Sequence, residues 1–292
     1  MYAVRQEGAQ MTPPLSVQLY ALGAAPAADP AGVIARLAAL GYEAVEPLIQ
    51  TGIDEAVAAA WVESLPQDIG DPPAWQPLDT AVLKQALDEH GLIAPSSHVT
   101  LPEGAFANEI LDEQEMLGCR LLIAPALFNG EAGAPESFSD LDRIKQIAER
   151  FNLAAEKARA RGMRVGYHNH FWEFGTDFDG RSGLEVFFEM VEPDVVAEID
   201  IHWAYVSGCD PAKLVKSLGE RVVLLHIRDG DKTEAMTSCC PLGEGEVDLP
   251  GVLAEAGSVE WLVAEPEGTS EEDVWPVLEQ YRDYLLGNDV SR

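Results

Sequence analysis

Side chains that can bind a metal ion recur where short apolar runs of the chain end. Four such runs end at His168, Asp200, His226 and Glu265. Imidazole nitrogen and carboxylate oxygen together suit Mn²⁺, Zn²⁺, Co²⁺ or Fe²⁺, and the histidines lower the preference for Mg²⁺ and Ca²⁺. Two carboxylates and two neutral imidazoles would balance a divalent charge and leave coordination positions for substrate oxygens. We therefore predict a divalent metal site at these residues, with Mn²⁺ as the first choice.

The six histidines are unevenly distributed along the chain. Only His90 lies within a predicted helix. A single histidine near a strand end is more often a satisfied structural residue than a ligand. Five of them beside several carboxylates are hard to explain by structure alone, because buried polar groups cost free energy unless they are paired or bind a metal. The five are His98, His168, His170, His202 and His226.

Eight short apolar runs rich in β-forming residues alternate with helical patterns, which is typical of repeated β-α units and a parallel sheet. The helical patterns are punctuated by Gly or Asp at several ends, for instance at Gly41 and Asp210. The predicted strands are Ser16–Leu22, Ala44–Pro47, Ala94–His98, Leu121–Ala126, Arg164–His168, Val196–Asp200, Val222–His226 and Trp261–Glu265.

Eight strands with intervening helices predict an α/β fold, a (β/α)8 TIM barrel in a single domain of residues 15–292. An open, doubly wound sheet is the competing architecture. That fold would favour a GxGxxG turn after the first strand, which Ala21–Ala25 does not provide. In a barrel the active site lies at the C-terminal ends of the strands, where the metal-competent residues concentrate.

Alternation along a strand separates the members of two residue pairs. His168 and His170 share one face of their predicted strand, and Asp200 and His202 share one face of theirs. Only one member of each pair can lie at the depth of a metal ion. We expect His168 and Asp200 to reach the barrel axis, and the outer members to line the rim.

Three segments lie outside this pattern. Residues 1–14 are charged and polar without a signal-peptide pattern, and we interpret them as a disordered leader. Residues 51–77 contain four prolines and form a predicted loop insertion, either a lid or an inert loop. The adjacent pair Cys239–Cys240 has no CxxC spacing, and we favour structural thiols over a redox or soft-metal role.

Net charge excludes one class of partner. The chain carries 50 acidic and 19 basic residues, a formal charge of −31. Nucleic-acid binding needs a basic footprint, and the same repulsion opposes acidic membranes and highly phosphorylated substrates. No apolar run approaches the ~18 residues of a membrane span. We therefore expect a cytoplasmic enzyme with a small-molecule substrate; homo-oligomerisation stays open.

Several motifs in order resemble the sugar phosphate isomerase/epimerase superfamily, the xylose isomerase-like TIM barrels, over residues 15–286. Each motif alone is weak, and their order and spacing together are specific. The motifs are Val17–Tyr20, Gly41–Glu46, Ser97–His98, Tyr167–Phe174, Asp200–Trp203 with Gly208, Leu225–Asp229, Gly243–Glu246 and Ala264–Glu267.

The resemblance implies a Glu–Asp–His–Glu metal site on the last four strands. Asp200, His226 and Glu265 match its last three positions, whereas His168 stands where the first glutamate is expected. Glu173, five residues later, is a substitute candidate. We predict His168 as the ligand, Glu265 as both ligand and catalytic base, and His170 and Glu173 as catalytic residues.

Further polar and aromatic residues near the strand ends are predicted to bind substrate, each against a structural alternative. Arg228 would hold a hydroxyl or carboxylate, or pair with Asp229. Trp203 would stack on a sugar ring, or serve as a core aromatic. The complete set of predicted substrate-binding residues is Gln18, Glu46, His98, His202, Trp203 and Arg228.

Three functions stay open at this point. The first is a metal-dependent isomerase or epimerase of a ketose or related polyol, which acts through an enediolate as the resemblance implies. The second is a metal-dependent lyase or dehydratase on a keto-sugar, 3-keto-glycoside or keto-inositol, favoured by His168 because elimination needs one base. The third is a non-catalytic sugar-binding barrel. A repair endonuclease is disfavoured by the surface charge.

Overall fold

The computed structural model describes residues 12–52, 76–127, 138–232, 239–270 and 273–287. Nearly all of the predicted leader, and residues 53–75 of the predicted insertion, lie outside these ranges. Within them no helix is long and apolar enough to cross a lipid bilayer.

Parallel strands alternate with helices in a nearly closed barrel. Neighbours around the sheet follow the order β2-β1-β9-β8-β7-β6-β5-β4-β3. The strands are β1 Leu15–Gln18, β2 Ala44–Glu46, β3 Leu48–Ile49, β4 Ser96–Val99, β5 Leu121–Ala124, β6 Arg164–His168, β7 Val196–Asp200, β8 Val222–Ile227 and β9 Trp261–Ala264.

Strands β2 and β3, at the two ends of this order, together take the place of one strand of the barrel. β2 and β3 are separated only by Pro47, which has no N–H to donate to a ladder. β2 pairs with β1, and β3 pairs with β4. The Pro47 carbonyl accepts the backbone N–H of His98 at 2.9 Å, so hydrogen bonding continues across the break. Nine strands therefore fill the eight positions that the sequence predicts.

Strand β1 ends earlier than predicted, and β7 ends at Asp200 as predicted, although the alternation argument was carried on to His202. The prediction of a strand to Leu22 is wrong beyond Gln18, where the chain turns into the 3-10 helix Leu19–Leu22 and the Gln18 side chain accepts the N–H of Tyr20. The helix Ile201–Val206 follows β7 directly, capped by Asp200. His202 therefore lies on a helix, and the strand argument that paired it with Asp200 is wrong.

Helices surround the strands and place their apolar faces against the outside of the barrel. Most begin at an Asp or Ser whose side chain accepts an N–H of the first turn, as an N-cap does. The described helices are Ala25–Ala28, Pro30–Leu40, Thr80–His90, Ala107–Leu117, Leu141–Arg159, Gly183–Met190, Ile201–Val206, Pro211–Leu218, Leu249–Glu255 and Val274–Leu285, with short 3-10 turns at Leu19–Leu22, Gly104–Phe106, Trp172–Phe174 and Gly219–Arg221.

The barrel interior changes from apolar to polar along its axis. A separate buried cluster that includes Leu121, Ile123, Val196 and Val263 occupies one level. Gly166 lies beside it, and a Cβ there would approach the Ile123 side chain and the Val196 backbone closer than 3.0 Å. Further along the strands, polar side chains replace apolar ones. This apolar cluster therefore lies below a layer of polar side chains at the C-terminal ends of the strands.

Candidate metal centre

The structure brings the four predicted metal ligands together. His168, Asp200 and His226 end or nearly end β6, β7 and β8, and Glu265 directly follows β9. One ligand atom from each lies within 4.8 Å of the others, and all four residues are buried. We call these four residues the outer cluster. The prediction that strand ends converge here follows from the barrel itself, because parallel strands present the same end to one face.

Asp200 has one carboxylate oxygen engaged and one free. Oδ1 accepts the backbone N–H of Trp203 at 2.7 Å, and the Asn169 side chain brackets the Asp200 backbone with two hydrogen bonds. Oδ2 has no hydrogen-bond partner among the described residues, although it is fully buried and 3.6 Å from the Arg228 guanidinium. Burial raises the pKa of this carboxyl to about 6. A buried, unpartnered carboxylate oxygen is unfavourable unless a cation binds it, so this donor fits a metal.

His226 is held between carboxylates on both ring nitrogens. Nδ1 lies 2.8 Å from Glu265 Oε2, and Nε2 lies 2.7 Å from Glu46 Oε1. Burial alone would lower the pKa of the imidazole, but the carboxylates of Glu198, Glu265 and Glu46 hold it well above its usual value. Burial likewise opposes ionisation of Glu265, yet the neighbouring His226 brings its pKa well below the usual range. A carboxylate behind a ligating imidazole fixes the ring orientation and raises its basicity.

His168 is a neutral imidazole at the centre of the site. Burial, reinforced by the nearby His226, lowers its pKa to about 4. Its Nδ1 lies 3.0 Å from Glu198 Oε2. Because a histidine must be neutral to bind a metal, His168 is in the required state at neutral pH.

Glu198 is a site residue that the sequence analysis missed. Its Oε2 lies 2.6 Å from His98 Nε2, 3.0 Å from His168 Nδ1 and 3.2 Å from His226 Nε2. Together these residues form a second group whose ligand atoms lie within 4.8 Å of one another. We call His98, His168, Glu198 and His226 the inner cluster. Glu198 precedes Asp200 by two residues on the same strand face, and that spacing was the available signal.

Three residues predicted to bind sugar hydroxyls lie inside the barrel. Gln18 Nε2 donates to Glu46 Oε1 at 2.8 Å, and the same oxygen lies 3.2 Å from His98 Nε2. Gln18 and Glu46 are fully buried, and His98 is 5% exposed. Inside the barrel they contact one another and two further members of the inner cluster, Glu198 and His226. Direct substrate contact by these three stays a prediction.

Arg228 and aromatic rings flank the outer cluster. Arg228 is fully buried, donates to Glu267 at 2.5 Å and lies over the Trp203 ring at 4.8 Å. Burial raises the pKa of Glu267 to about 7 despite that contact. The described residues provide no hydrogen-bond partner for Arg228 Nε and Nη2, nor for either ring nitrogen of His202. These four residues therefore present polar and aromatic surface beside the cluster.

His170 and Glu173 are joined by a hydrogen bond. The Glu173 carboxyl accepts the His170 backbone N–H at 3.0 Å and the Tyr167 hydroxyl at 2.5 Å. The His170 ring stacks on Trp172 at 4.2 Å and lies 4.9 Å from the His168 ring. Its Nδ1 is unpartnered within the described ranges. The geometry places the His170 ring beside the cluster, whereas both Glu173 oxygens are already engaged; the catalytic roles of both residues stay predictions.

Comparison with known proteins identifies the family. A family model described as xylose isomerase-like TIM barrel matches residues 34–279. A sugar phosphate isomerase/epimerase from Parabacteroides distasonis ATCC 8503 is 22% identical over 97% of this chain and 98% of its own, with a TM-score of 0.68. The probable 3-DHS dehydratase AsbF from Bacillus anthracis is 12% identical over 93% and 98%, at 0.64. The IOLI protein with a bound zinc atom is 13% identical over 96% and 100%, at 0.63.

These structural likenesses lie below 25% identity and therefore show the fold alone. No curated protein matches the chain significantly. The family model covers most of the sequence, from the second helix to the last. The chain belongs to the family of xylose isomerase-like TIM barrels.

Proposed function

We propose that this protein is a metal-dependent isomerase or epimerase that acts on a ketose or related polyol through an enediolate. The outer cluster carries the proposal: two carboxylates and two imidazoles converge at the C-terminal end of the barrel, and Asp200 Oδ2 is buried without a partner among the described residues. A divalent ion held there, with Mn²⁺ as our first choice, would polarise a substrate carbonyl and stabilise the enediolate.

Glu265 is the base in this proposal. Of the outer cluster it is the most exposed, at 5% against 0–2% for the others, so it lies nearest the open end. The neighbouring His226 keeps its pKa well below the usual range, although burial alone would raise it. The carboxylate is therefore ionised at neutral pH and able to accept the proton from the carbon next to the carbonyl.

Residues beside Glu265 would bind and orient the sugar. Arg228 offers a fixed cation with free N–H groups for substrate oxygens, and Trp203 offers an aromatic face beneath that cation. The His170 ring lies 5.9 Å from the Trp203 ring, and its Nδ1, which has no hydrogen-bond partner among the described residues, would exchange a proton with the substrate. Burial, reinforced by His168, brings the pKa of His170 well below its usual value, so it enters the reaction as a neutral imidazole.

A metal-dependent lyase or dehydratase is the second candidate, and His168 favours it. With a pKa of about 4, this imidazole is uncharged at neutral pH, and it supplies no carboxylate opposite Glu265. Elimination needs one base: Glu265 removes the proton next to the carbonyl, the electron pair forms a carbon–carbon double bond as the bond to the β-oxygen breaks, and the β-hydroxyl or aglycone leaves with the proton that Glu265 took up. The fold supports either reaction, because both an epimerase and a probable dehydratase share it.

The two reactions are separated by incubating the protein, stripped with chelator and reloaded with Mn²⁺, with ketoses and 3-keto-glycosides in D₂O. Deuterium next to the carbonyl of an isomerised sugar supports the first candidate and contradicts the second. Enone absorbance or released aglycone does the reverse. Glu265→Gln should lose at least about 10³-fold in kcat/KM if it is the base. The exposed Glu109→Gln is the matched control.

A third outcome would favour the non-catalytic sugar-binding barrel. In that case the wild-type protein would bind a sugar with micromolar or tighter affinity and turn over no member of the panel. Glu265→Gln would then retain that binding.

A further inference from the structure

The inner cluster occupies a level of the barrel below the outer cluster. Glu198 and Asp200 are two residues apart on β7, so both side chains face the interior at successive depths. Glu198 is in register with His168 on the neighbouring strand. His98 reaches the same level from β4, on the other side of the barrel.

Three imidazole nitrogens converge on one carboxylate oxygen in this cluster. Glu198 Oε2 lies 2.6, 3.0 and 3.2 Å from nitrogens of His98, His168 and His226. Around a tetrahedral zinc ion, with bonds of about 2.0–2.1 Å, ligand atoms are about 3.3–3.4 Å apart. The oxygen-to-nitrogen separations approach that spacing. An ion at the centre would draw in the nitrogens, which now all lie within 4.8 Å of one another.

Unpartnered oxygens at the same level are an independent indication. Glu198 Oε1 and Glu46 Oε2 are buried and have no hydrogen-bond partner in the part of the chain that the structure describes. The two carboxylates match the charge of one divalent cation. The imidazole nitrogens of His98 and His226 contact Glu198 Oε2 and Glu46 Oε1, so the second oxygen of each carboxylate lacks a partner that a bound cation would supply.

We propose that the inner cluster is a second position for a divalent metal ion of the zinc class. The ligands are His98 Nε2, His168 Nδ1, His226 Nε2 and Glu198 Oε2. Three imidazoles and one carboxylate select Zn²⁺ over Mg²⁺ or Ca²⁺, and the four ligands leave no open coordination position for a substrate. Every ligand of this position is at most 5% exposed, and Glu265, the most exposed residue of the outer cluster, is also 5% exposed.

The inner and outer positions share His168 and His226. Nδ1 of His168 and Nε2 of His226 face the inner cluster, whereas Nδ1 of His226 faces Glu265. An imidazole that binds two ions must lose both ring protons, and two such bridges would hold two dications close together. One ion therefore occupies either position at a time, and zinc in the inner cluster competes with the metal of the proposed active site. This competition, unlike the inner site itself, rests on the proposed function.

Cobalt spectroscopy on the full-length, metal-stripped protein tests the inner site. Four-coordinate Co²⁺ absorbs visible light far more strongly than six-coordinate Co²⁺, so the spectrum reports the geometry. Asp200→Asn removes an outer ligand and leaves every inner ligand in place. We expect this variant to bind one Co²⁺ per chain with an intense four-coordinate spectrum. Adding His98→Asn should weaken that binding at least tenfold, and adding His90→Asn, on a distant helix, should leave it unchanged.

Two results would overturn the proposal: no Co²⁺ bound by folded Asp200→Asn, or a bound spectrum that His98→Asn does not alter. Circular dichroism monitors folding, and Glu265→Gln replaces Asp200→Asn if the latter does not fold. Turnover by the Mn²⁺-loaded wild-type protein tests the proposed function separately, because an inactive protein can still give the inner-site spectrum. An active protein can equally lack that spectrum.

Discussion

Glu173 should make the stability of the protein depend on pH. Its carboxyl is fully buried, with the Tyr167 hydroxyl and the His170 backbone N–H as donors. Burial raises its pKa to about 8, although both donors favour the ionised form. The folded protein therefore keeps a proton on Glu173 up to about pH 8, whereas the unfolded chain releases it near its ordinary value of 4.5.

The sign and size of the effect follow from proton linkage. Between pH 4.5 and about 8 the folded state binds one proton more than the unfolded state, so the free energy of unfolding falls as pH rises. One proton corresponds to about 1.4 kcal/mol per pH unit, and the full interval to on the order of 5 kcal/mol at most. The stabilisation is complete below pH 4.5 and is lost by about pH 8.

Glu173→Gln imitates the protonated carboxyl and should remove this dependence. Urea unfolding followed by tryptophan fluorescence, at intervals from pH 5 to 9, gives the free energy for the variant and the wild type. Their difference should move in favour of the variant by about 1.4 kcal/mol per pH unit up to about pH 8. The difference cancels the titration of other buried groups. Glu149→Gln, exposed on a neighbouring helix, is the control. A difference that stays flat across the range refutes the linkage.

Three further substitutions test the surroundings of the site. Glu46→Gln should weaken metal binding about 10–100-fold in chelator competition, because it weakens the acceptor that orients His226; an unchanged affinity would rule that role out. Asp229→Asn should lower the free energy of unfolding by on the order of 3 kcal/mol in urea titration, because each carboxylate oxygen accepts two backbone N–H groups; a change below about 0.5 kcal/mol contradicts this. Arg228→Lys should raise KM about tenfold with little change in folding, because a lysine has a single nitrogen and lacks the planar fork that lets Arg228 pair with Glu267 through one nitrogen and face substrate with another; an unchanged KM excludes Arg228 from binding.

The barrel was predictable because its signals are local and repeated. Asp210, which the sequence analysis placed at a helix end, is the N-cap of the helix Pro211–Leu218, directly before its proline. Local structure was predicted less well where one residue serves two elements. Strand β7 ends at Asp200 as predicted, but Asp200 also caps the next helix, so the strand alternation that was applied to His202 did not hold. The break at Pro47 also escaped prediction, because a short strand with one proline resembles a strand end.

The four outer ligands could be predicted because the fold itself sends the strand ends to one face. The depth at which each side chain lies along the barrel axis was harder to predict. A sequence shows which residues share a strand face, but neighbouring strands are staggered, so it does not show which residues share a level. Glu46 and His98 were therefore predicted to bind substrate, whereas they lie inside the barrel against other buried side chains, and Glu198 was overlooked beside Asp200.

The Glu198 carboxylate, which lies beneath position 168, gives a physical reason for a histidine rather than a glutamate there. His168 Nδ1 lies 3.0 Å from Glu198 Oε2, and His168 is within ligand distance of Glu265 in the outer cluster. A glutamate at this position would put a third buried carboxylate between those two. Like charges at such separations repel strongly in a medium of low dielectric constant, and one of the carboxyls would have to keep a proton. A neutral imidazole avoids this repulsion and presents a nitrogen to each level. His168, which stands where the resemblance implies a glutamate, and Glu198 are thus one electrostatic arrangement, in which a neutral imidazole lies above a carboxylate in the barrel interior.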